Sequence, residues 1–251
     1  ASQALMPKPK VALQARSVTV REPVMPRDLV YGRARKGGVI TFLHASGSKD
    51  QYLHMVIVLA AHRVKSIGAV WFDGEMAVTA GGTVQGRWSG KVILEKRLGA
   101  EDQAAFASLM ANVSDKWTAA HRLAGCAALY LRLTYDPDAF PGGIPNITVD
   151  IEGKDDILDP RTGTRGYSEN PALCLADYLA HPAYGLGAAI GAADGVERAS
   201  LIEAANICDE MVALASGGTE RRYSCNGVVS LAETPKTIIE GMLSAMAGRV
   251  A

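Results

Sequence analysis

The chain has 251 residues, 48% hydrophobic and 21% charged, a balance that excludes disorder along its whole length and allows one large core or two smaller ones. Lys+Arg and Asp+Glu number 26 each, so the net charge of +0 makes no general demand for a nucleic-acid or membrane partner. The charge is uneven: residues 1–36 hold eight bases against two acids, net +6, which leaves the remainder net −6. A solvated basic arm is the plain reading, and an arm that docks on a neighbouring subunit is the alternative.

Pro7, Lys8, Pro9 and Lys10 stand where a signal peptide would need an apolar core, so residues 1–16 read as an extended arm and the protein as made in a cytoplasm. Ser17 to Arg21 and Asp28 to Tyr31 alternate like strands, with Pro23 and Pro26 confining the chain to edges or turns between them. After a corner at Gly37-Gly38, Val39 to His44 continues as strand, and the apolar, β-branched run Tyr52 to Ala61 is the candidate central strand. Val64 to Phe72, a tight turn at Asp73-Gly74 and Glu75 to Thr79 form a hairpin. Gly81, Gly82, Gly86 and Gly90 then break the chain into loops before a strand from Lys91 to Leu98.

Glu101 to Met110 changes to helical period, with Ala105, Phe106, Leu109 and Met110 on one face and acids in the first turn. Cys126 to Tyr135 alternates again, with Ala127, Leu129, Leu131, Leu133 and Tyr135 inward until Asp136-Pro137. Beyond the glycine and proline gate at 141–145, Ile147, Val149 and Ile151 face one side of a strand and Thr148, Asp150 and Glu152 the other, and Gly153-Lys154 is a candidate hairpin turn. From Gly166 onward helices dominate. Asn170-Pro171 caps one that runs to about His181. Ser200 to Glu203 has capping-box spacing for a second, with Leu201, Ala205, Cys208, Met211, Val212 and Ala215 as its stripe. Tyr223 to Ser230 is a short strand, and Thr234-Pro235 opens a last helix with Ile238, Ile239, Met242, Leu243 and Met246 inward and Gly248 as its stop. The ending at Gly248-Arg249-Val250-Ala251, just after a helix stop, suggests the front part of something longer.

Cys126, Cys174, Cys208 and Cys225 are too far apart for a zinc knuckle or redox motif, which favours buried free thiols over a disulfide framework. The longest apolar runs, near 55–61 and 123–131, are too short to span a bilayer.

Leu29-Val30-Tyr31-Gly32-Arg33-Ala34-Arg35-Lys36-Gly37-Gly38 resembles the opening of the lambda-like tail-tip attachment proteins, the J-like host-specificity proteins of long-tailed phages. Further blocks follow in that family's order: Tyr52 to Ile57, Val70 to Gly74, Pro141 to Pro145, Asp159 to Gly163, Ser168 to Leu173, Asp177 to Leu179, Tyr223 to Gly227, Glu233 to Pro235 and Met242 to Gly248. Their collinearity over residues 17–248, rather than any single block, carries the resemblance. It implies an α+β protein: β-rich hub domains like those of contractile-phage baseplates, barrel or sandwich, with inserted and C-terminal helices. Residues 1–16 would be the arm, 17–165 a β-rich hub domain and 166–251 a second, incomplete α+β hub region. The implied role is structural, with no enzymatic activity and no cofactor. It is a trimeric central hub in the virion, at the distal end of the tail, that joins the tail tube to the receptor-binding tip and takes part in attachment and DNA ejection. Partners would be identical copies, tail-tube and tail-tip proteins and the tape-measure protein, with membrane contact only through distal regions absent here. Tyr31, Arg33, Arg35 and Lys36 are the candidate interface residues, the three bases being those that would meet DNA or an acidic partner.

Candidates for chemistry are weaker. His44, Ser46 and Asp50 could form a hydrolytic trio only by converging in space, and no nucleophile elbow surrounds them. His54 and His62 lack a third metal ligand in the sequence pattern. Asp150, Glu152, Asp155, Asp156 and Asp159 read as a solvated hairpin tip or a DNA-repelling face, and less well as glycosidase carboxylates or a calcium site. Glycines 185, 187, 191 and 195 imitate a phosphate loop without its lysine. The alternative to a hub is a tail-associated peptidoglycan hydrolase.

Overall fold

The computed structural model describes residues 25–193 and 195–248, so the arm at 1–16, the strand expected over 17–21 and the last three residues lie outside the described residues. In chain order the strands before the first helix are β1 (Asp28–Tyr31), β2 (Arg33–Lys36), β3 (Val39–Ser46), β4 (Tyr52–Ala60), β5 (Val64–Phe72), β6 (Glu75–Val78) and β7 (Val92–Leu98). Helix α1 (Ala107–Asn112) precedes β8 (Ala127–Thr134), β9 (Ile147–Lys154), β10 (Ile157–Asp159) and β11 (Thr164–Gly166). Then come α2 (Pro171–Ala180), α3 (Arg198–Asp209), β12 (Met211–Ala213), β13 (Thr219–Arg221), β14 (Gly227–Ser230) and α4 (Pro235–Ser244). The fold is α+β, as expected.

Two four-stranded antiparallel sheets, ordered β3-β4-β8-β7 and β2-β9-β5-β6, share one core. Alternation explains the sharing. Met55, Ile57, Leu129 and Leu131 of one sheet and Val64, Val70, Phe72, Ile147, Val149 and Ile151 of the other all enter it. Neither sheet closes on itself, so the barrel half of the expectation gives way to an open sandwich. β4 lies between β3 and β8, and its opposite face is covered too: Val56, with Ala128 and Tyr130, packs under Phe106, Leu109, Val113 and Trp117. Asp73 and Gly74 make the β5–β6 turn with φ of 49° and 86°, the positive values that a two-residue hairpin requires.

A second core gathers α2, α3 and α4 with Ile157, Cys225 and Val229, and it also takes Leu29 and Tyr31 from β1. Val30, between those two, enters the first core, so β1, paired along its length with β14, serves both. α2 is N-capped by Asn170, with Pro171 in its first turn, and α4 by Thr234, as their sequences specify.

Several expectations need correction. The helix expected over 101–110 is the six-residue α1, because Arg97 donates to the carbonyls of Ala104 (2.6 Å) and Ala105 (2.8 Å). Arg97 thus ties the chain before α1 to the end of β7, and Glu95 of β7 caps α1 by accepting from Ala107 N (3.1 Å) and Ser108 N (2.6 Å). Tyr135 is 73% exposed rather than inward. Glu197, not Ser200, caps α3, and the helix ends at Asp209, so Met211 and Val212 belong to β12. Gly153-Lys154 is not a turn, because β9 runs through both. Gly153 is needed for close approach: a Cβ there would strike the Val30 carbonyl of β1.

Candidate functional site

The candidate interface block occupies β1 and β2, and its four side chains divide between interior and surface. Tyr31 is fully buried, and its hydroxyl donates to Asp177 of α2 at 2.7 Å. Burial and the adjacent Asp177 charge push its phenol well above the ordinary value. Lys36 is equally internal, ion-paired with Asp28 at 3.0 Å and bonded to the Leu59 carbonyl. Neither side chain meets solvent in this chain, so the surface part of the block rests on Arg33 and Arg35.

Arg35 lies 3.6 Å over the Trp71 ring, with Nε 2.6 Å from Asp150, which also accepts from the Trp71 indole at 3.0 Å. Arg35 and Asp150 line a shallow groove of about 500 Å³ with Ser66, Gly68 and Ala80. Arg33 reaches Glu169 at 3.0 Å and Glu152 at 3.7 Å, and its backbone N–H donates to the Asn226 side chain at 2.7 Å. It borders a second, polar cleft of about 680 Å³ between the β10–β11 hairpin and the ends of α2 and α3. In that cleft Arg161 bridges Asp159 (2.8 Å) and Asp209 (2.9 Å), and Arg221 approaches Asp209 at 3.4 Å. The bonds from Arg161 hold the Asp159 carboxyl below the ordinary range, and the Lys65 bond does the same for Glu152.

The acidic run is thus not a solvated tip. Each member has a base: Arg35 for Asp150, Arg33 and Lys65 for Glu152, Arg63 for Asp155, Lys154 for Asp156 and Arg161 for Asp159. Asp159 and Glu152, held below the ordinary range by their bases, are poor general acids.

Of the expected hydrolytic trio, Ser46 meets His54 rather than His44. Its Oγ lies 2.7 Å from His54 Nε2, while His54 Nδ1 lies 2.8 Å from the Tyr130 hydroxyl. Burial, helped by Arg132 and His44, lowers the His54 pKa. The triplet sits on the sheet face, with His54 and Tyr130 fully buried, and none of its members lines either cleft. Asp50 lies elsewhere, on the rim of a small apolar groove beside Tyr135 and Ile144. His62 accepts from Val30 N at 2.9 Å through Nε2 and donates to Arg63 O at 2.7 Å through Nδ1, so both ring nitrogens are engaged. Among the described residues no group of three or more His, Cys, Asp or Glu is placed to hold a metal ion, and no helix is long and apolar enough to cross a membrane. Of the glycines at 185–195, Gly185 and Gly195 pack against the carbonyls of Tyr178 and Ala189, an architectural use.

Sequence reasoning missed the Asp159–Arg161–Asp209 bridge. Asp159-Pro160-Arg161 signalled half of it, but nothing local marks Asp209 as its third member.

No family model matches the chain. It is similar to tip attachment protein J of Escherichia phage SECphi27, with 33% identity over 110 residues that cover 38% of this chain and 9% of that protein. The chain thus spans about a tenth of the length of that curated relative. The resemblance to tail-tip attachment proteins read from the sequence motifs is shown by this match. Among solved structures, the chain is similar to one in the virion of a native gene transfer agent (GTA) particle. That likeness has a TM-score of 0.41 and 16% identity, and it covers 57% of this chain and 30% of the other.

Proposed function

We propose that the chain is a structural protein of the phage tail tip, forming a hub between the tail tube and the receptor-binding tip as three copies around the tail axis. The observation that carries this reading is the 33% identity to a tip attachment protein. The blocks matching that family in order from residue 29 to residue 248 support it. Residues 17–165 and 166–251 are then two hub regions, and tail-tube, tape-measure and other tip proteins are the partners. Contribution to attachment and genome ejection follows from that position in the virion.

The architecture suits such a role. β3, with eight residues, and β7, with seven, are the outermost described strands of one sheet, and outer strands of this length are normally covered or paired by a neighbour. The carboxylates that a hydrolase would use are neutralised by bases instead. The test is side-chain-resolution imaging of intact tails that carry the protein. Three copies at the distal end are expected, and a tail tip without the chain would overturn the reading. A cell-wall zymogram addresses the hydrolase alternative: clearing lost in Asp150→Asn or Asp155→Asn would favour the enzyme.

A further inference from the structure

We propose that Cys174 and Cys225 form a latent disulfide pair, which closes when the protein meets a small-molecule disulfide. Cys174 lies in the first turn of α2 and Cys225 two residues before β14. Both belong to the second core, with exposures of 0% and 1%. Two backbone ties bring them together. The Cys225 N–H donates to the Glu169 carbonyl at 2.7 Å, and the Cys174 thiol donates to the carbonyl of the preceding residue, Ser168, at 3.6 Å. The Cys225 thiol is also the strongest single influence on the Cys174 thiol.

The same core holds Cys208, but that thiol meets the α2 backbone at Ala172. Cys208 sits near the end of α3, where its carbonyl accepts from the Tyr223 N–H at 3.2 Å. The ties to the neighbouring Ser168 and Glu169 carbonyls single out Cys174 and Cys225. Cys126 is only partly buried and lines a groove beside Met25 and Arg27 in the other half of the chain.

With oxidised glutathione the step balances. One protein thiolate attacks a glutathione sulfur, the glutathione S–S bond breaks and one glutathione thiol leaves with the proton. The second protein thiolate then attacks the mixed disulfide and releases the other. Two protein thiols lose two electrons and two protons, and one glutathione disulfide becomes two thiols. The neighbouring Cys225 thiol and burial hold Cys174 well above the ordinary cysteine range, so closure is slow and proceeds through local opening of the core. Once made, the bond encloses α3 and the β12–β13 ribbon between α2 and the root of β14. This pairing is independent of the tail-hub reading and stands or falls separately.

The test incubates the full chain with oxidised glutathione under native conditions, alkylates the remaining thiols after denaturation and maps the peptides. The expected result is a Cys174–Cys225 cross-linked peptide, loss of two alkylatable thiols and a Tm raised by several degrees, because the unfolded chain loses loop entropy. Cys208→Ser keeps the link, and Cys225→Ser abolishes it. The proposal is overturned if Cys174 and Cys225 both stay alkylatable while Cys126 takes up glutathione, or if Cys174 is found linked to Cys208. Should Cys225→Ser fail to fold, the peptide map of the unaltered chain decides alone.

Discussion

Lys154 carries its charge into the interior, where Asp177 lies at 3.0 Å, Asp156 at 3.2 Å and the Tyr184 hydroxyl at 2.9 Å. Burial by itself would lower its pKa, but the Asp177 charge and the Tyr184 contacts outweigh it and raise the pKa above the ordinary lysine value. Lys154→Met strands the buried Asp177 and is expected to cost about 3–5 kcal/mol in urea unfolding. His62 is opposite in sense: burial, with Lys154 and Lys36 nearby, pushes its imidazole down to about 4. Its folded pKa thus lies below the unfolded value near 6.5, so its contribution is complete above that pH and is lost as pH falls toward about 4. The urea midpoint of the native chain should drop across this window, and His62→Gln should flatten the drop. Neither role was legible in the sequence, where Lys154 resembled a turn residue and His62 a strand flank. The partners that define them lie 23 and 32 positions away.

At the level of elements, the legible parts were those governed by local rules. β5, the Asp73-Gly74 turn and β6 follow from alternation and turn chemistry, and α2 and α4 from their caps and prolines. The misread parts were decided at a distance: α1 starts where Glu95 of β7 offers a carboxylate, and β9 continues through Gly153 because β1 crosses it. The two caps also differ in surroundings. Asn170 is buried, accepts from Ala172 N and Leu173 N, and spends its amide on the Ala205 carbonyl at 2.8 Å, whereas Thr234 is exposed and its hydroxyl bonds Thr237, through the backbone N–H and the side-chain hydroxyl. Asn170→Ala is therefore expected to cost about 2–3 kcal/mol and Thr234→Ala about 1 kcal/mol by chemical denaturation.

For the whole molecule, the candidate interface reduces to two exposed arginines that are already tied to this chain's own acids. Arg33 and Arg35 side chains are 70% and 48% exposed, so replacing both by Glu should leave the cores intact and place like charges beside Glu152, Glu169 and Asp150. If this face meets a neighbour, the double variant should keep its circular-dichroism spectrum and lose oligomer mass in light scattering. An unchanged mass would remove this face from the assembly. β1 bears on how the chain yields under load. Its middle valine is anchored on one side and its leucine and tyrosine on the other, so a pull on either half shears the four β1–β14 pairs before the halves can separate. Stretched end to end, the protein should rupture in one step rather than two, and a fold tied this way would transmit force along its length instead of absorbing it.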